Sequence, residues 1–406
     1  MKKQKAKTAT PKLRFSEFRG GSPWEWETLG DVCEMQAGTF VSAAEIAEKP
    51  SRGAYPCYGG NGLRGYTVTS THSGKYPIIG RQGAHCGNVR FVDGEFYATE
   101  HALVATPRSD VDVTWLYYTL GGLRLNRFAT GQAQPGLSVD VLIGVGCAVP
   151  AIEAEQQKIA DCLASLDEVI AAQGHKVEAL KAHKRGLMQQ LFPREGETRP
   201  RLRFPEFRDA PEWVRRSLSD IARLRNGYAF KSSEYVETGP YQIVTIANVQ
   251  QSGLLLESTK KIAELPSDLQ QHQILRLGDI LISMTGNVGR VCRVTAESLL
   301  LNQRVGKLTP DAVYPEFFYQ LLQRDEFRSA MQLKAAGGAQ GNLSAGDISG
   351  YVFCLPAEPQ EQQRIADCLS SLDTQITAET HQLAALKSHK QGLMQQLFPA
   401  PEAAGA

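Results

Sequence analysis

EQQKIADCLASLDEVIAAQGHKVEALKAHKRGLMQQLFP, residues Glu155 to Pro193, returns as EQQRIADCLSSLDTQITAETHQLAALKSHKQGLMQQLFP, residues Glu361 to Pro399, with 27 of 39 positions identical. In the first copy Ile159, Leu163, Leu166, Ile170, Val177, Leu180, Leu187 and Leu191 recur at alternating spacings of four and three. The second copy does the same with Ile365, Leu369, Leu372, Ile376, Leu383, Leu386, Leu393 and Leu397. That spacing is the seam of a coiled coil, sustained for about five heptads. Gln173 and Lys184 interrupt the first seam, and Glu379 and Lys390 the second, at matching places. Polar seam residues fix register and partner orientation. Pro193 and Pro399 stop both helices. Two such seams in one chain pair most simply with each other, antiparallel. Glu155, Gln156, Gln157, Asp161, Lys181, His183, Gln189 and Gln190 also recur. Placed off the seam, they read as solvent-facing residues that offer the same surface twice, once to each of two identical partners.

Working outward, a short tag precedes each half, PKLRFSEFRG from Pro11 and PRLRFPEFRD from Pro200. Between tag and helix lies a module whose frame repeats while its middle diverges. Trp24, Leu29, Asp31 and Gly38 answer to Trp213, Leu218, Asp220 and Gly227, and GQAQPGLSVDVLIGVGCAVP from Gly131 to GGAQGNLSAGDISGYVFCLP from Gly337. The middles are short β-branched and aromatic runs punctuated by glycine, hence strands and turns. One amphipathic helix follows in each, VTWLYYTLGGLRLNRFAT and PEFFYQLLQRDEFRSAMQ. The modules are therefore α+β. A shared frame with a divergent middle suits two modules that fold alike and recognise different things.

Composition narrows the class. No run of 18 or more apolar residues occurs, so no membrane span is expected. The basic start MKKQKAKTATPK has no apolar stretch after it and does not read as a signal peptide. The eight cysteines form no CxxC pair, which points to reduced structural thiols in a cytosol rather than zinc sites. His85, Cys86 and His101 lack a fourth ligand nearby, so no metal is expected. The chain has neither a Gly-rich loop and catalytic tetrad for methyl transfer nor a nucleotide-phosphate loop, and GNVG at Gly286 reads as a plain turn. A net charge of +1 means that any grip on nucleic acid is local and helped by partners.

The tags, EQQKIADCLASLD, HKRGLMQQLFP and its twin, NGYAFKSSEY from Asn226, YGGNGLRGY from Tyr58, GDILISMTGNVGRV and GNLSAGDI together resemble the specificity subunit of type I restriction-modification systems. The resemblance implies a non-catalytic, cytoplasmic DNA reader without a cofactor of its own. Residues 1–150 would be a first target-recognition domain, 151–196 the first long helix, 197–356 a second target-recognition domain, 357–400 the second long helix and 401–406 a disordered tail. The expected fold is α+β, two recognition domains separated by two long antiparallel coiled-coil helices with internal pseudo-two-fold symmetry. Each domain would read one half of a split, asymmetric target on double-stranded DNA. Two methyltransferase subunits would dock along the helices, two motor-nuclease subunits would join outside, and the methyltransferases would modify an adenine in each half using S-adenosylmethionine. The rival reading is a coiled-coil scaffold carrying two β modules that bind protein or sugar; salt-dependent binding of the assembled complex to duplex DNA separates the two.

The first module has Thr99-Glu100-His101 where the second has Asn302-Gln303-Arg304, so contacts do not transfer between them. Arginine pairs bidentately with guanine, and glutamine or asparagine with adenine. In the second module Gln303 and Arg304, supported by Asn302, are the expected base contacts, with Arg290, Lys307 and Lys334 on phosphates. In the first, Arg81, Gln82, His85 and His101 are expected near bases, with Arg64, Arg90, Arg124 and Arg127 nearer the backbone.

Overall fold

The computed structural model describes residues 8–83, 85–131, 135–337 and 341–399. The expected tail 401–406 and the starts of the two glycine-rich end segments, 132–134 and 338–340, lie outside the described residues. The chain divides into two compact units, Met1–His175 with Thr380–Ala406, and Lys176–Glu379. The long helices, Glu153–Leu191 and Pro359–Leu397, each begin in one unit and end in the other. The linear division into module and helix is thus not the division by contacts. Each module packs on the first part of its own helix and the last part of the other. Among the described residues no helix is long and apolar enough to cross a membrane.

In the first unit Trp24–Thr28 lies between Thr8–Ala9 and Gly146–Val149. A larger sheet runs in the order Cys33–Ala37, Ala102–Pro107, His72–Gly80, Val89–Ala98, Tyr55–Gly59, Gly62–Thr67. Its strands are antiparallel except where Tyr58 pairs with Ala98. The helix Val113–Gly122 starts where the Asp112 carboxylate accepts the Trp115 N–H at 2.7 Å, a side-chain cap on an otherwise unpaired donor. The buried core joins Trp24, Ile79, Leu103, Trp115 and Leu116 to Ile159 and Leu163 of the first long helix and Leu397 of the second.

In the second unit Val214–Ser217 pairs with Val352–Leu355. A four-stranded sheet runs Ala222–Asn226, Val305–Pro310, Ile280–Ser283, Val291–Arg293, and a three-stranded one Lys260–Ile262, Tyr241–Val244, Leu299–Leu301. The core joins Trp213, Phe317, Phe318 and Phe353 to Leu191, Ile365 and Leu369 of the long helices and to Phe192, just past the end of the first. The single amphipathic helix expected from Pro315 is two, Pro315–Leu322 and Asp325–Ala336. The chain turns out at Arg324, whose guanidinium donates to Pro193 O at 3.0 Å and lies 5.1 Å from the Phe192 ring centre. The first unit likewise ends its helix early and follows it with a 3-10 turn, Leu125–Phe128.

The polar seam residues are paired. Lys184 Nζ donates to Asp373 at 2.6 Å and Lys176 Nζ to Glu379 at 2.6 Å in the second unit. Lys390 Nζ donates to Asp167 at 2.5 Å in the first. Asp167 also accepts the Tyr118 hydroxyl at 2.8 Å, and Asp373 the Gln320 amide at 2.8 Å. The Lys184–Asp373 and Lys390–Asp167 pairs are therefore each tied to the helix of their own module. Gly174 does not interrupt the first helix.

Glu155 and Gln156 correct the surface reading. Both are buried, 1% and 2% exposed. Glu155 accepts Arg14 Nε and Nη2, each at 2.7 Å, and Trp24 Nε1 at 3.1 Å. Gln156 Oε1 accepts the Asp112 N–H at 2.9 Å. In the second unit Glu361 accepts Arg203 Nε and Nη2 at 2.7 Å and Trp213 Nε1 at 3.2 Å, and Gln362 accepts the Tyr314 N–H at 2.9 Å. The glutamates recur because they clamp the repeated tag and tryptophan, and the glutamines because they hold the residue that caps the start of each module's helix. The remaining six, Gln157, Asp161, Lys181, His183, Gln189 and Gln190, are exposed.

Candidate nucleic-acid interface

Three loops of the first unit meet through their backbones. The turn Thr99–Ala102 closes with the Ala102 N–H on Thr99 O at 2.9 Å. The Arg81 N–H donates to His101 O at 2.9 Å, and the Leu137 N–H to Arg81 O at 2.9 Å. Gly60 fits between them only because it lacks a side chain: a Cβ there would stand 2.9 Å from Gln82 O and 3.3 Å from His101 O. These bonds gather Arg81, Gln82, His85 and His101 onto adjoining segments. Arg64 borders them, its Cδ 3.8 Å from where a Gly59 Cβ would lie, and the Arg90 guanidinium covers Gly62. The turn carrying Arg124 and Arg127 abuts Gly87, where a Cβ would fall 2.3 Å from Asn126 N. Gln82, His85, Arg64, Arg90, Arg124 and Arg127 are exposed. Arg81 is half-buried, its Nε on Leu137 O at 3.2 Å, and the Arg127 guanidinium lies over the Phe128 ring at 4.6 Å. Cys86 is not poised as a ligand, since its thiol donates to Arg81 O at 3.2 Å.

The second unit has the same bonding scheme with other residues. Val305 N–H closes the turn on Asn302 O at 2.9 Å, Met284 N–H donates to Arg304 O at 3.1 Å, and Leu343 N–H to Met284 O at 2.8 Å. Gly227 passes so close that a Cβ would lie 2.3 Å from Leu301 O and Asn302 O. Gly38 does the same in the first unit, 2.2 Å from Ala98 O. Gln303 and Arg304 project from this locked turn into solvent, and no hydrogen bond or ion pair holds their side chains among the described residues. Asn302 Oδ1 is turned back to the Arg304 N–H at 3.3 Å, which suits a supporting residue.

The three expected phosphate contacts fare differently. Arg290 is half-buried on the Gln250 side-chain oxygen. Lys334 is exposed, its ammonium on Asp347 O at 3.0 Å. Lys307 Nζ lies 2.5 Å from Asp279, with the side chains only 12% and 17% exposed. That ammonium is neutralised inside the sheet, so Lys307 leaves the set of available cations. Thr285 and Asn287 are not among the contacts expected from the sequence. They sit on the loop that answers to Arg81–Gly87, and Asn287 O accepts the Ser283 hydroxyl at 2.6 Å. Aligning GRQGAHCGN with the one-residue-shorter SMTGNVGR, which sets Arg81 against Met284, places them on that loop.

Burial pushes the Cys33, Cys147 and Cys292 thiols up to about 12, so they are inert at neutral pH. The Tyr228 phenol is raised first by its hydrogen bond to Asp268, at 2.8 Å.

A family model, the type I restriction modification DNA specificity domain, matches residues 21–182 and again 211–388. The EcoprrI specificity subunit of Escherichia coli is 44% identical over 128 residues, covering 31% of this chain and 32% of that relative's length. The MjaVIII specificity subunit of Methanocaldococcus jannaschii is 23% identical over 95% of each chain. The crystal structure of the type I S subunit from M. genitalium superposes with a TM-score of 0.67 at 17% identity, covering 96% of this chain and 99% of that one. A chain from a structure titled for complex assembly and conformational transition of the type I R-M system gives 0.52 at 14% identity over 92% of this chain and 97% of that one. With both halves matched, the chain belongs to the type I restriction-modification specificity subunits, non-catalytic proteins that recognise DNA.

Proposed function

We propose that each unit reads one half of a split, asymmetric target on duplex DNA. The observation that carries this reading is the common three-loop frame with unlike residues at matched positions: Arg81 against Met284, and Glu100-His101 against Gln303-Arg304. One backbone scaffold holding different donor and acceptor sets is what two readers of different sequences require. The long helices act as an antiparallel coiled coil with pseudo-two-fold symmetry and set the unread spacer between the half-sites. Two methyltransferase subunits dock along them, on the exposed repeated residues such as Gln157 and Gln363 or His183 and His389. Two motor-nuclease subunits join outside. The complex works in the cytoplasm, where its DNA substrate lies.

The test is sequencing of methylated adenines in cells that carry this chain and its methyltransferase partners. A two-part target with a fixed gap is expected. Arg304→Ala should relax one position of one half-site, at a cost of about 1–3 kcal/mol. Uniform weakening on all sequences would instead make Arg304 a phosphate contact, and methylation without a bipartite target would end the reading.

A further inference from the structure

Phe40 is 72% exposed, which is unusual company for the polar loops around it. It stands on a braced segment. The Gly38 N–H donates to Ala102 O at 3.0 Å and the Thr39 N–H to Ala98 O at 2.9 Å, on either side of the Thr99–Ala102 turn. The Tyr97 hydroxyl donates to Phe40 O at 3.1 Å. Val41 is buried against Cys57 and Tyr97, and Ser42 caps the following turn, accepting the Ala44 N–H at 3.2 Å. The backbone on both sides of Phe40 is fixed while its ring is left in water. A lone exposed apolar residue needs no explanation by itself; a phenyl held out from a locked loop beside the reading turn calls for one.

The second unit supplies the contrast. There the Tyr228 N–H donates to Leu301 O at 2.8 Å, as Thr39 does to Ala98, which matches Ala229 to Phe40 and buried Phe230 to buried Val41. The loop therefore forms without an aromatic at this position, and the ring is an addition to the first unit alone. Apolar side chains that are held rigid can enter between base steps, unstack them and kink the duplex.

We propose that the Phe40 ring is a wedge that stacks on and partly opens one base step of duplex DNA in the half-site of the first unit. This deepens the DNA-reading proposal and rests on it. The probe is duplex carrying the methylated target, with 2-aminopurine placed in turn at each position of both half-sites, and the complex of this chain with its methyltransferase partners. Fluorescence should rise at one step of the first half-site. Phe40→Ala should abolish the rise and weaken binding by about tenfold or more. Phe40→Tyr should keep both, and the melting temperature should change little because most of the residue already lies in solvent.

Arg304→Ala serves as the control on the second half-site. If Arg304→Ala changes reading there while Phe40→Ala leaves affinity and fluorescence intact, the wedge is overturned and the DNA reading stands. Weaker binding with no fluorescence rise at any step also overturns it. If Phe40→Ala impairs only assembly with the methyltransferase, the ring belongs to a protein contact and the wedge is again wrong. A complex with no sequence preference would remove both proposals.

Discussion

Replacing Arg14 by methionine should loosen the first unit and leave the second intact. The Arg14 guanidinium is 8% exposed and the Glu155 carboxylate 1%. Arg14 gives Glu155 two of its three hydrogen bonds and also donates to Gly21 O and Ser22 O at 3.0 Å. Arg14→Met leaves a buried carboxylate with only the Trp24 indole, so the charge is desolvated and uncompensated. Breaking a buried pair from one side costs about 3–5 kcal/mol. Screening does little to reduce this, since both groups are largely removed from solvent. All the partners lie in the first unit, so the cost falls there. Arg14→Met with Glu155→Leu removes both charges and should recover most of the loss, because apolar replacements of buried pairs are often neutral or better.

Hydrogen exchange read by mass spectrometry on the full chain resolves this by segment. A loss of about 3 kcal/mol speeds exchange roughly a hundredfold where protection comes from opening of the whole unit. Segments around Leu103 and Trp115 should show it, and segments around Leu281 and Phe317 should not. Arg203→Met should give the mirror result. Equal loss in both units, or no loss beyond about tenfold in the first, would refute the assignment of the pair as the clamp of its own unit.

Two further outcomes follow. Matched seven-residue insertions after Ile170 and Ile376 preserve the heptad seam and add up to about 10 Å of helix; sequencing of methylated sites should show the same half-sites across a spacer longer by one to about three base pairs, and an unchanged spacer in an assembled complex would contradict the ruler. Asp31, Asp220 and Asp347 are held below their ordinary 3.8, chiefly by hydrogen bonds from the Thr28, Ser217 and Ser344 side chains. Depressed carboxylates stabilise the fold above their unfolded value and lose that contribution as pH falls through the folded one. Asp220→Asn should therefore lower the melting temperature at neutral pH and converge with the parent well below pH 3.8; a constant difference across that range would count against the cap.

The repeat made the two long helices, the two tags and the frame of the modules readable from the chain. Repetition says that a residue is needed twice, and is silent on whether it faces water. Glu155 follows the start of a helix and carries charge, so it reads as surface; its partner Arg14 lies 141 positions away. Lys307 reads as a free cation for the same reason, because Asp279, just before Ile280–Ser283, reaches it only after that strand pairs with the one holding Lys307. The sheet orders were equally hidden. The parallel contact of Tyr58 with Ala98 depends on chain crossing, which local spacing does not encode. The split at Arg324 came from a cation drawn to the end of a distant helix, and helix propensity has no view of that.

The near-zero net charge does not conflict with a DNA reader once the charges are assigned. Arg14, Arg203, Lys184, Lys390 and Lys307 are neutralised by Glu155, Glu361, Asp373, Asp167 and Asp279, in clamps, seam and sheet. Arg64 and Arg90 on strands beside the loops, and Arg124 and Arg304 on turns, are exposed, and no ion pair neutralises them among the described residues. These five carboxylates thus sit on structural cations, while the four exposed arginines keep their positive charge at the surface. Field at a surface depends on where charges lie rather than on their sum, and each arginine that meets a phosphate adds about 0.9 to the salt dependence of binding. Few such contacts per unit mean a modest grip from this chain alone, which agrees with the proposal that docked methyltransferase subunits share in holding the DNA.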